Sequence, residues 1–435
     1  MAPRWIAPLL SLLLLAAAGQ GAFAVTCAMD TVPAATLLLP YFEVDLNDPN
    51  GLTTLFSVNN AAAFAVLTHV VVWSDLAVPV FSWNVYLTGY DVQTINLRDV
   101  LVNGNLPQTA STGQDPLDRI SPKGVFSQDI NFASCQGVLP PPAAPLSFLS
   151  AVQLALTGKP SPLAGGLCMA QALGDNVARG YITVDTVSSC SLRVPGDPGY
   201  FAAGGTGDAT NQNQLWGTWS IVNTAKGYAA GSDLVAIEAD ATNPATSTAG
   251  RYTFYGRYDG WSAADNREPL ATSFASSYLN GGSFAGGTDL IVWRDPKVAQ
   301  APFPCPASAS SAPVWYPLGQ EALVFFDEME NPVVPTTVPI DPIPTPPRFV
   351  PFPAATQKIR VGSAALPMPF SFGWVFLDLN SSPLPAGTNP PVDGKAAQAY
   401  VVAVNALNGH FAVTADAFRL DSACAANHTP PGGPQ

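Results

Sequence analysis

Apolar positions in this chain fall into many short runs separated by turn-forming residues. Residues 36–44 are mostly apolar and run into Asp45-Leu46-Asn47-Asp48-Pro49-Asn50-Gly51, a cluster of turn formers. A second run over 52–59 is broken at Asn59-Asn60-Ala61. Within 65–73 the alternating sets Leu67, His69, Val71, Trp73 and Val66, Thr68, Val70, Val72 are both mainly apolar. That pattern predicts a strand covered on both faces. Runs over 81–87 and 92–97 follow, split by Thr88-Gly89-Tyr90-Asp91. Short runs with a turn about every 8–12 residues are the signature of a sandwich or barrel.

The pattern changes after residue 102. Residues 103–122 are polar and loop-like, and 140–145 form a proline-rich bend. Residues 147–157 place apolar side chains at 148, 149, 152, 154, 155 and 156 before Gly158, which predicts one short helix. A second helix is expected over 167–173. The block 103–180 reads as an insertion between strands, pinned by Cys135 and Cys168. Strand patterns resume at 181–187, 215–222, 234–239, 252–258, 288–294 and 322–326, with 195–213 as a long surface loop. A proline-rich run over 331–353 cannot donate ladder hydrogen bonds and reads as a linker or an outer crossing. Further strands are expected at 358–361, 372–379, 399–404 and 411–418.

These patterns divide the chain into a leader (1–24), an N-terminal strand region (25–102), the insertion (103–180) and a middle strand region (181–330). The proline-rich stretch (331–353), C-terminal strands completing the sandwich (354–426) and a loose tail (427–435) follow. The expected fold is all-β, an immunoglobulin-like or related sandwich, elaborated by long loops and a small helical insertion. Six cysteines, 43 prolines and strands apolar on both faces argue against an outer-membrane barrel, whose strands alternate lipid-facing and lumen-facing residues.

Composition adds a compartment. Arg4, the apolar run 6–18 and Ala22-Phe23-Ala24 have the order of a secretory signal peptide, with Val25 as the first mature residue. The run is shorter than the roughly 20 residues a span needs, which argues against an anchor, and no later charge-free apolar run is long enough to span, so the mature chain is expected to be soluble and secreted, periplasmic or at the cell surface. Losing Arg4 takes the net charge from −13 to −14. An acidic surface argues against nucleic-acid or anionic-membrane binding, both of which need a basic footprint. Only 11% of residues are charged and 48% are apolar, so the chain can bury a sizeable core. An even set of cysteines in an exported chain reads as three disulfides. The pairing expected is Cys27–Cys424, which joins the termini, Cys135–Cys168, which closes the insertion, and Cys190–Cys305, which remains.

Reaction motifs are scarce. The three histidines, His69, His410 and His428, come with no Gly-x-Ser-x-Gly elbow, so a Ser-His-Asp hydrolase or a His-rich zinc site lacks its parts. Gly204-Gly205-Thr206-Gly207 lacks the Lys-Ser/Thr and helix of a phosphate loop. The 45–51 turn offers oxygen ligands that would suit calcium, but its spacing departs from the EF-hand and fits an Asx turn. No other cofactor is implied. Trp216, Trp219, Tyr252, Tyr255, Trp261 and Trp293 read as sugar platform or β core.

The chain's sparse charge gathers around Asp265, Asn266, Arg267 and Glu268 and again at Arg294 and Asp295. These six are the candidate ligand-binding residues. Their plainer role is a polar corner holding the long excursion 269–287 beside the next strand, with Arg267 pairing to Asp295 or Asp289. The glycines at 281, 282, 286 and 287 would turn that excursion back. Function follows as an exported, non-enzymatic protein with a structural, adhesive or ligand-binding role and a glycan or protein surface as partner. The alternative is an exported carboxylate-dependent hydrolase acting on polysaccharide, with Asp265, Glu268, Asp295 and Glu328 converging on one cleft.

Overall fold

The computed structural model describes residues 32–107, 133–135, 138–139, 141–281, 286–295, 301–305, 318, 320, 322–335, 351–380, 398–407 and 411–420. The leader, Cys27, Cys424, His410, His428 and most of the proline-rich run lie outside these residues. The described chain is mostly β and forms four antiparallel sheets with few short helices.

The first sheet contains β1 (Thr36–Asp45), β3 (Val66–Ser74), β4 (Pro79–Leu87), β6 (Val177–Val187) and β10 (Val235–Ile237), in the order β10-β1-β6-β3-β4. The second contains β2 (Leu52–Asn60), β5 (Val92–Asn96), β8 (Thr218–Asn223) and β9 (Tyr228–Asp233), in the order β5-β2-β8-β9, with β7 (Leu215–Trp216) also on β2. The third runs β14 (Pro332–Val333), β13 (Ala322–Phe326), β16 (Phe372–Asp378), β11 (Ser273–Leu279) and β19 (Phe418–Arg419). The fourth runs β15 (Thr356–Arg360), β12 (Gly286–Arg294), β17 (Ala399–Leu407) and β18 (Phe411–Asp416).

Two apolar cores explain the strands that are apolar on both faces. Ile291, Trp293, Tyr400, Val402 and Val404 of the fourth sheet enter the large core shared with the first two sheets. Their alternates Leu290, Val292, Val401 and Ala403 enter a second core with the third sheet. The fourth sheet is thus a middle layer, and period-two alternation delivers one set of side chains to each core. β3 is also buried along its whole length, but Val70, Val71, Val72 and Trp73 all belong to the large core and Leu67 to a small cluster at the sheet's end.

The helix forms at Leu146–Leu156, close to expectation, with Leu149, Ala151, Val152, Ala155 and Leu156 buried. Three expectations are corrected. Residues 167–173 form no helix; Cys168 makes a two-way bridge with Phe303, its amide donating to that carbonyl at 2.9 Å. Residues 252–258 form no strand, because all of 252–257 are buried and alternation is lost. The chain turns there into a short helix, Gly256–Asp259, where a Cβ on Gly256 would lie 2.5 Å from the Trp261 ring. The excursion 269–287 contains β11, a full strand of the third sheet, after which Gly281 takes a φ of 68°, while Gly282 lies outside the described residues. β9 also escaped the sequence pattern, since Tyr-Ala-Ala-Gly-Ser-Asp carries little apolar signal.

Among the described residues the disulfides are Cys135–Cys190 and Cys168–Cys305, not Cys135–Cys168 and Cys190–Cys305, while the expected Cys27–Cys424 pair lies outside them. Each ties the insertion outward instead of closing it. Cys190 follows β6 and meets Cys135 in a small cluster with Leu67, Tyr86 and Val187 at the end of the first sheet. Cys305 is brought to Cys168 by the Phe303 bridge.

Candidate functional site

Residues 265–268 extend the edge of the first sheet through a bridge between Ala239 and Arg267. Asp265, Asn266, Arg267 and Glu268 are all buried, as are Arg294 and Asp295. The partner of Arg267 is neither Asp295 nor Asp289. The Arg267 guanidinium lies 3.5 Å from Asp185 and 3.4 Å from Asp265, and its Nη2 donates to the Thr210 carbonyl. Its Nε also donates to the Thr36 hydroxyl. Asp185 sits near the end of β6 and accepts from Thr36 (2.5 Å), Tyr200 (2.6 Å) and Tyr255 (3.2 Å). Burial works against the Arg267 charge, but Asp185 and Asp265 outweigh it, so its pKa is raised. Burial pushes Asp265 up, against the pull of Arg267.

β-pairing sets the row. Thr36, Asp185 and His69 are cross-strand neighbours, and His69 in turn pairs with Asn84. His69 Nδ1 lies 2.9 Å from Asn84 Oδ1, while its Nε2 is buried with no hydrogen bond within bonding geometry among the described residues. Desolvation lowers the His69 pKa, against the opposing pull of Asn84 and Asp185. The available signal was an Asp within the apolar stretch Tyr-Ile-Thr-Val-Asp-Thr-Val and a His within another; their register was not legible.

Asp295 instead receives Arg257 and the Gln398 side-chain amide, the latter at 2.9 Å. Gln398 also donates to the Thr253 carbonyl and accepts from Leu270, so it ties 253–257 to the fourth sheet. Arg294 points the other way and donates to the carbonyls of Leu318, Phe352 and Leu379. Burial brings its pKa down to about 9, with Asp378 opposing. Asp289 is held near the surface by Arg360. Glu328 is exposed in the turn after β13, whereas Asp265, Glu268 and Asp295 are buried. Five of the six candidate aromatics are core residues, and only Trp216 is exposed. In the 45–51 turn, Asp45 Oδ1 accepts the amides of Asn47 and Asp48, as in an Asx turn.

A cleft that the sequence did not disclose opens between β1, β6 and β15. It has a volume of about 640 Å3 and is lined by Tyr41, Glu43, Asp75, Arg179 and Lys358 among apolar residues. Glu43 accepts from the Tyr41 hydroxyl at 2.8 Å and pairs with Lys358 and, at 3.5 Å, with Arg179. Asp75 follows β3 and accepts the Gln171 amide at 3.1 Å. Burial pushes its carboxyl up to about 7, against the weaker pull of the Gln171 amide and Arg179. No family model, no curated protein and no solved structure matches this chain.

Proposed function

We propose that this chain is exported and acts at or outside the cell surface as a non-enzymatic β-sandwich protein, in a structural, adhesive or ligand-binding role. The observation that carries this reading is the fate of the six polar residues gathered at 265–268 and 294–295. All six lie within the protein interior, and the side chains of Asp265, Asn266, Arg267, Arg294 and Asp295 hold strands and loops together. The two disulfides suit an oxidising compartment. The leader pattern agrees with that location. Paired sheets around two cores support the sandwich reading, and an immunoglobulin-like strand relationship is its finer form. The test is a glycan-array and cell-surface binding screen of the mature protein, with and without calcium. Selective retention on a glycan or surface supports the reading; turnover of a polysaccharide in its place rejects it.

A second reading keeps the hydrolase, on one specific observation: Asp75 and Glu43 line the same cleft. A carboxyl raised toward neutrality suits a general acid. Glu43 suits the partner role poorly, since Tyr41, Lys358 and Arg179 already hold it. Release of reducing ends that disappears in both Asp75→Asn and Glu43→Gln proteins would favour the enzyme.

A further inference from the structure

We propose that the cleft between β1, β6 and β15 binds a small organic cation, a primary ammonium on an apolar stem, with Asp75 as its counter-ion. This deepens the ligand-binding reading and rests on it. The cleft volume of about 640 Å3 lies within the range usual for small-molecule sites. Leu173, Pro351, Pro353, Ile359, Ala364 and Ala365 give it apolar walls suited to a stem.

Charge matching selects the head group. Four charged side chains line the cleft, and three are already paired: Glu43 takes Lys358 and Arg179, and Arg179 also takes Asp175. Asp75 belongs to no ion pair among the described residues, although it is only 4% exposed. A carboxylate withdrawn from water with no direct ion pair is unfavourable, since the pull of Arg179 does not offset its burial, and a bound ammonium supplies a closer countercharge. An anion would meet Asp75 and Glu43, while the two cations of the cleft, Arg179 and Lys358, are already held by carboxylates. A hard metal ion needs several oxygen ligands, and no group of three His, Cys, Asp or Glu gathers among the described residues.

Protons compete with the cation. The titratable and charged groups that line these hollows with Asp75 are Tyr41 and Glu43 from β1, Arg179 from β6, Lys358 from β15, and Lys159 and Asp175 from the adjoining hollow. Burial outweighs the pull of Arg179, so the carboxyl gains its proton near neutrality. Affinity for an amine should therefore fall about tenfold per pH unit below about 7 and level off above it.

The test is calorimetric titration of the mature protein with n-hexylamine, 1-hexanol and hexanoate at about pH 8 and about pH 5.5. The expected result is hexylamine binding at the higher pH, at least tenfold weaker at the lower, with hexanol and hexanoate weaker than hexylamine at about pH 8. Asp75→Asn should abolish the preference for the amine over hexanol. Ala365→Trp, at the exposed lip, should block the cleft with Asp75 intact, which covers the case of an Asp75 variant that misfolds. Equal binding of hexylamine and hexanol, pH-independent binding, full amine affinity in Asp75→Asn, or no binding at the higher pH would overturn the assignment. A glycan or surface ligand found alongside a negative hexylamine titration rejects this cleft alone; failure of both rejects the binding reading with it.

Discussion

Asp75 and Arg267 show how burial turns a single charge into a stability determinant. Asp75 has a folded pKa of about 7, above the usual carboxylate range. Between about pH 4 and 7 the folded state keeps a proton that the unfolded state has lost. Its contribution is therefore fully present below about pH 4, declines as pH rises, and is gone above about 7. Asp75→Asn should be neutral near pH 4 and stabilising near pH 8 by a few kcal/mol, on the order of three pKa units. Urea titrations at the two pH values check this, and equal stability of the two proteins at pH 8 would refute it. Arg267 works in the opposite sense, because Asp185 and Asp265 depend on it for countercharge. Removing one partner of a buried pair costs about 3–5 kcal/mol. Arg267→Ala should lower the melting temperature and speed proteolysis within 251–270. A variant with unchanged melting and unchanged protease resistance would remove the corner's structural role. The residues 265–268 were visible in the sequence as a charged cluster; Asp185, 82 positions upstream of Arg267, was not, because only strand register brings it there.

Elements show where local pattern suffices and where it fails. β1, β2, β3, β4, β6 and β12 could be read from apolar runs because each is long and faces a core. β11 was hidden within an apparent excursion because its Ser-rich run, Ser-Phe-Ala-Ser-Ser-Tyr-Leu, buries mainly Phe274 and Tyr278. Residues 252–258 misled in the opposite direction, since their aromatics are buried by neighbouring segments: Phe254 stacks on Trp293 at 5.5 Å and Tyr255 donates to Asp185. The disulfides belong to this scale as well. Non-reducing peptide mapping should recover Cys135–Cys190 and Cys168–Cys305. The second closes 137 residues against 55 for the first, so in the chain-entropy account its loss costs roughly 1 kcal/mol more. Comparing Cys168→Ser/Cys305→Ser with Cys135→Ser/Cys190→Ser by chemical denaturation measures that difference, and the reverse order would contradict it.

At the scale of the whole molecule, the fourth sheet decides cooperativity. Leu290 and Ile291 are adjacent and fully buried, yet they enter different cores. Leu290→Ala and Ile291→Ala should each cost about 2–5 kcal/mol and shift one common unfolding transition. Two calorimetric transitions, each moved by only one variant, would show that the shared layer does not couple the cores. By itself, the sequence determined the β class, the positions of most strands, the short helix and the charged cluster, because periodicity and turn chemistry are local properties. Tertiary structure decided the partner of Arg267, the disulfide pairing, the second core and the cleft around Asp75. Each depends on which distant segments become neighbours, and side-chain period within one segment carries no information about that.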